Sequence, residues 1–138
     1  IRMTKHDLPE RAAPAFDAAH AKSYAEGPPR QVPGFDGLHR MTSQLLAERV
    51  PVNGDVLVLG AGGGLELKML ADNHPGWTLT GIDPSADMLR LAAQIAGSHA
   101  DRIRLHEGYI HAAPAGPFDG AVCLLTMHFV PREQRLET

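Results

Sequence analysis

The chain has 138 residues, enough for one domain around one core, and 43% of them are apolar, as in an ordinary globular protein. Its net charge of −3 disfavours broad nucleic-acid binding, which needs a basic field. No apolar stretch is long enough for a membrane helix, Ile1–Asp7 lacks a signal-peptide core, and the single cysteine, Cys123, provides neither a disulfide framework nor a cysteine-rich metal site. A cytoplasmic protein is expected.

Taken in order, the pattern predicts a helix over Ala12–Tyr24, stopped by Gly27-Pro28-Pro29-Arg30, and a loop over Gln31–Gly34. Leu38, Met41, Leu45, Leu46 and Val50 recur at helical spacing, so Asp36–Val50 reads as a second helix. Pro51–Gly54 is a turn. Val56–Leu59 is a first strand, apolar on both faces as in a central parallel strand. A helix follows over Leu65–Asn73, then a strand over Trp77–Ile82 and a helix over Ala86–Ala96. Ser85 is the N-cap of that last helix, and Asp87 suits its dipole. Arg102–Glu107 is a third strand, Gly108–Pro117 a loop and Ala121–Leu125 a fourth strand. Pro131–Leu136 opens another helix.

The alternation implies right-handed βαβ crossovers. The expected fold is α/β, a Rossmann-like, mostly parallel sheet with helices on both faces, incomplete at its C-terminal end. The expected division is residues 1–50 as an N-terminal helical lid and 51–138 as the cofactor-binding core, truncated after the fourth strand. An open edge at that strand invites pairing with a second copy, so a homodimer is expected.

The organising feature is the glycine cluster Gly60, Gly62, Gly63 and Gly64 between the first strand and its helix. Glycine there lets backbone approach a ligand and adopt angles a Cβ forbids. The spacing is G-x-G-x-G, with Leu65 where a dinucleotide fingerprint needs glycine, which argues against NAD and FAD; a phosphate-loop lysine motif is absent. Asp83 lies about 20 residues further on, where nucleotide folds place an acid for ribose hydroxyls. The alternative is that Asp83 caps the following helix, a task open to Ser85.

Val56–Gly64, Gly81–Leu89 and Phe118–Val130 together resemble class I S-adenosylmethionine-dependent methyltransferases. The resemblance implies S-adenosylmethionine as cofactor and methyl transfer to a small-molecule acceptor. It places backbone around Gly60, Ala61 and Gly62 near the methionine part and Asp83 on the ribose. Pro84 and Met88 would pack near the adenine, with Gly108, Tyr109 and Ile110 on its other face and Leu124 and Leu125 forming the floor beneath the sulfonium. Two positions depart from the family pattern. Val58 stands where an acid commonly lies two residues before the first glycine, and Glu66 is the candidate to replace it. Tyr109 stands where an Asp commonly reads the adenine amino group.

Such transfer is an in-line displacement that needs alignment more than acid–base machinery. His128, just past the fourth strand, is the candidate base, competing with a purely architectural role; Tyr24 and His39 are further candidates, and Arg30 could meet a carboxylate. The eight histidines have no i, i+4 pairing, so no metal is expected. Two other functions compete: a non-catalytic S-adenosylmethionine-binding module or fragment of a larger methyltransferase, and a nicotinamide-binding reductase domain.

Overall fold

The computed structural model describes residues 23, 24 and 26–138. The helix expected over Ala12–Tyr24 lies outside these residues except for its end. The elements are α1 (Gly27–Gln31), α2 (Phe35–Ala47), β1 (Asp55–Leu59), α3 (Leu65–Asn73), β2 (Thr78–Asp83), α4 (Ala86–Ala96), β3 (Ile103–Glu107) and β4 (Gly120–Val122). Short 3₁₀ turns cover Gly97–Arg102, Ile110–Ala112, Met127–Phe129 and Arg132–Gln134.

The four strands form one parallel sheet in the order β3-β2-β1-β4. The chain crosses outward from β1 to β2 to β3, then returns to the other side of β1. The strand order therefore reverses between β1 and β4, the topological position at which open parallel sheets place a ligand. Val56 and Val58 of β1 and Leu79 of β2 are 0% exposed and pack with Leu67, Leu70, Ala71 and Ala92 of the helices. Leu57, Thr80 and Ile82, which alternate with them, are buried as well, so the central strands read as continuous apolar runs. Helix α3 packs on α4 and α2 packs on α3 and β4.

Local chemistry explains these boundaries. Ser85 caps α4, its hydroxyl accepting from the Met88 amide at 3.3 Å. Gly64 precedes α3 with φ +85°, and a Cβ there would lie 2.7 Å from the Ala92 Cα, so this glycine also permits the close approach of α3 and α4. Trp77 is not part of β2. It lies in the turn before the strand, 2% exposed, stacked on His74 and donating from its indole to the Pro51 carbonyl at 2.9 Å.

A new short helix, α1, opens at Gly27 with Pro28 in its first turn, where the missing N–H costs no intrahelical bond. Two other expectations are corrected. The fourth strand is shorter than Ala121–Leu125: Leu125 has φ +52°, a left-handed conformation that cannot continue a strand. In place of a helix over Pro131–Leu136 there is one 3₁₀ turn over exposed residues, which have no apolar face to bury.

Candidate functional site

The candidate site is built on the turn between β1 and α3. Gly60 and Ala61 both donate from their amides to the Ile82 carbonyl, at 2.8 and 2.9 Å, which locks the turn onto the end of β2. Gly60 has φ +72°, and a Cβ on it would collide with Thr126. The Thr126 hydroxyl is anchored on the Leu124 carbonyl at 2.9 Å, so the segment after β4 seats directly against the first glycine. Gly62 has φ +49°, and its amide donates to Oδ2 of Asp83 at 2.9 Å.

Asp83 ends β2 and is half-buried. Its Oδ1 accepts from the Ser85 amide at 2.9 Å, so the carboxylate holds the glycine turn with one oxygen and its own turn with the other. Burial pushes its pKa up, and the two amide bonds pull it back. An ionised carboxylate offers about four lone-pair sites, so two acceptor directions remain for hydroxyls. The carbonyl of Asp83 accepts from the Gly108 amide at 3.0 Å, which ties the loop after β3 to the same place.

The other expected site residues surround this hub at different depths. Pro84 is exposed beside Asp83, while Met88 is 2% exposed beneath the turn. Tyr109 is 58% exposed, its ring near His111, and Ile110 behind it is half-buried. Leu124 is half-buried at the end of β4. The neighbouring Leu125 is the one non-glycine residue with positive φ among the described residues, the kind of strained backbone that functional sites retain.

Tyr24 is brought in from the N-terminal side. A Cβ on Gly62 would lie 2.8 Å from its hydroxyl, and one on Gly63 would lie 2.8 Å from its ring. Its phenol pKa is raised by burial and then by the negative charges of Asp83 and Glu66, so it stays a donor. Glu66, in the first turn of α3, is 7% exposed, and its Oε1 has no hydrogen-bond partner. Burial pushes its pKa up to about 8. Cys123 is half-buried, its thiol pushed up by burial, with Glu66 contributing.

Three candidates stand outside this cluster. His128 is exposed, its ring 4.0 Å from that of Phe129. His39 is buried on α2 against Phe35. Arg30 is paired with Glu26 at 3.6 Å on the surface. The signals sequence reasoning missed were tertiary. Nothing in the spacing shows Thr126 behind Gly60 or the burial of Glu66 with an unpartnered Oε1.

A parallel sheet with a glycine turn after the first strand, an acid at the next strand end and a reversal of strand order beside them is the arrangement of a nucleotide-type cofactor fold. The chain belongs to the methyltransferase-domain family, whose model matches residues 56–138, as the sequence resemblance implied. A curated relative, the carboxy-S-adenosyl-L-methionine synthase of Campylobacter curvus, is 24% identical over 108 residues, covering 78% of this chain and 46% of its own. Among solved structures, a candidate S-adenosyl-L-methionine-dependent methyltransferase from Methanococcus maripaludis superposes with a TM-score of 0.68 at 19% identity, over 97% of this chain and 59% of its own. The S-adenosylmethionine-bound amino pentose methyltransferase CalS10 of Micromonospora echinaspora gives a TM-score of 0.65 at 22% identity, over 83% and 47%. The chain thus spans about half the length of the curated relative it matches.

Proposed function

We propose that this chain is the cofactor-binding core of a class I methyltransferase that takes S-adenosylmethionine and methylates a small molecule. The observation that carries this reading is the pair of hydrogen bonds that Asp83, at the end of β2, accepts from the Gly62 and Ser85 amides. It leaves a half-buried carboxylate with two free acceptor directions beside backbone that no Cβ obstructs.

The residues present fit such a cofactor. Asp83 suits the ribose diol, and Gly60, Ala61 and Gly62 admit the methionine part. Pro84, with Met88 packed below it, and Gly108, Tyr109 and Ile110 enclose the base from two sides. Leu124 and Leu125 form the floor. When bound, the cofactor supplies an activated methyl group for in-line transfer. The chain's own part is to orient it and exclude water, with residues 1–50 as the covering lid and Tyr24 closing over Gly62 and Gly63. No described side chain is placed as an acid–base group, and His128, exposed beside Phe129, is left to the acceptor side of the site.

No described helix is long and apolar enough to cross a membrane, and a cytoplasmic location is the proposed one. The unpaired edge of β4 is the proposed seam of a homodimer, checked by sedimentation over a range of concentrations. Isothermal titration with S-adenosylmethionine and S-adenosylhomocysteine tests the central reading. Binding of both is expected; absence of heat with both overturns it. NADH binding in their place would favour a reductase domain. Cofactor binding with no transfer to any acceptor would favour the non-catalytic module.

A further inference from the structure

The sheet face that packs on α3 brings no polar group to the site from β1. Val58 is 0% exposed and belongs to the apolar core. The nearest carboxyl on the following helix is Glu66, and its situation is anomalous. It is 7% exposed, its Oε1 is sealed from solvent without a partner, and no ion pair reaches it among the described residues. A buried, unpartnered carboxyl costs stability, and an apolar residue of similar size would pack there better. Its position in the first turn of α3, where the helix dipole favours negative charge, offsets only part of that cost.

Glu66 lies two residues past Gly64, in the first turn after the glycine cluster, with its Oε1 sealed from solvent. Tyr24 lies against Gly62 and Gly63 of the same turn. The charge of Glu66 raises the pKa of the Tyr24 hydroxyl and of the Cys123 thiol just beyond β4, in keeping with a place beside the glycine turn. The titratable groups around it are Tyr24, Asp83 and Cys123, none of them a cation. No group of three or more metal-ligating side chains exists among the described residues, so a metal ion lacks a ligand set there.

Building on the methyltransferase reading above, we propose that Glu66 is the receptor for the α-ammonium group of the cofactor, doing from the helix what Val58 cannot do from the strand. Burial holds the free carboxyl protonated up to a pKa of about 8. On binding, the neutral acid gives its proton to solvent and the carboxylate pairs with the incoming ammonium. Charge balances: a neutral acid and a cation become an ion pair and a released proton. Cofactor uptake is thereby linked to proton release near neutral pH.

The test is calorimetry of the whole chain with S-adenosylhomocysteine at pH 7 in buffers of different ionisation enthalpy. About one proton should be released per ligand bound by the wild-type chain and none by Glu66→Gln. The variant should bind S-adenosylhomocysteine about 10- to 100-fold more weakly, the range for losing a charge-assisted hydrogen bond. Glutamine closely matches the neutral acid in shape. 5′-Methylthioadenosine, which lacks the amino-acid end, should bind both forms equally, and this also reports that the variant is folded. Equal affinity and equal proton release for S-adenosylhomocysteine in both forms overturns the role of Glu66 and leaves the methyltransferase reading standing. Failure of the wild-type chain to bind either compound overturns the reading itself, and the inference with it.

Discussion

The Gly62 amide donates to Oδ2 of Asp83 at 2.9 Å, across the gap between the glycine turn and the end of β2. A single carboxylate thus fixes the glycine turn and, on the proposed reading, would also present the acceptors for the cofactor's ribose. Asp83→Asn keeps one carbonyl oxygen but places an NH₂ group against one of the two amides. The expected cost is about 1–3 kcal/mol in urea unfolding, together with at least a tenfold loss of S-adenosylhomocysteine affinity by titration. An unchanged affinity would remove Asp83 from the site.

Gly60 and Thr126 make a second coupled pair. A Cβ at Gly60 meets the Thr126 side chain at sub-contact distance, and the backbone there has φ +72°. Gly60→Ala should therefore cost at least about 2 kcal/mol, combining overpacking with left-handed strain. Thr126→Ala removes the two atoms that obstruct the new Cβ most, but leaves the residue-126 Cβ at 2.8 Å and the backbone strain. In a double-mutant cycle the pair should be less destabilised than the sum of the single changes. Strict additivity would mean that strain alone makes this position glycine.

How far these relations could be read from the chain depended on whether they are local. The alternation of apolar strands and amphipathic helices sets β1, α3, β2 and α4 to within a residue or two, because period and punctuation agree there. The Ser85 cap and the position of Asp83 after β2 follow from the same local rules. Thr126 behind Gly60 and Tyr24 over Gly62 join segments far apart in sequence and have no periodic signature. Glu66 stands in the sequence as the candidate to replace the acid missing at Val58, but its burial and unpartnered Oε1 have no local signature. His128 and Arg30 stood out by residue type, but their side chains face solvent.

Arg102 was read only as the start of β3, yet it closes the C-terminal end of α3. Its guanidinium donates to the Ala71 carbonyl at 2.8 Å, to the His74 carbonyl at 3.2 Å and to the Trp77 carbonyl at 2.8 Å. The Ala71 carbonyl lies in the last turn of α3, which the helix leaves without an intrahelical partner, while the His74 carbonyl also accepts from the Trp77 amide at 3.1 Å. A fork of donors can serve three acceptors at once, whereas lysine offers a point charge. Arg102→Lys should destabilise by about 1–3 kcal/mol, and Arg102→Met by more, in thermal or urea unfolding. Cofactor affinity should change little, because Arg102 lies at the end of α3 remote from the glycine turn. A lysine variant as stable as wild type would refute the capping role.

Glu66 gives stability an unusual dependence on pH. In the unfolded chain its carboxyl ionises near its ordinary value of 4.5, whereas in the folded chain burial delays this to about 8. Between those values the folded state binds more protons than the unfolded one. The contribution of Glu66 therefore lowers stability as pH rises through that window, by at most about 1.4 kcal/mol per pH unit, and levels off above it. Below about pH 4.5 both states are protonated and the effect vanishes. Urea midpoints measured from pH 5 to 9 should decline more steeply for the wild-type chain than for Glu66→Gln. The difference should shrink when S-adenosylhomocysteine is saturating, because its ammonium then compensates the buried charge and the ligand stabilises only the folded state. Parallel wild-type and variant profiles without ligand would show that this carboxyl ionises normally, as a solvated first-turn acid would.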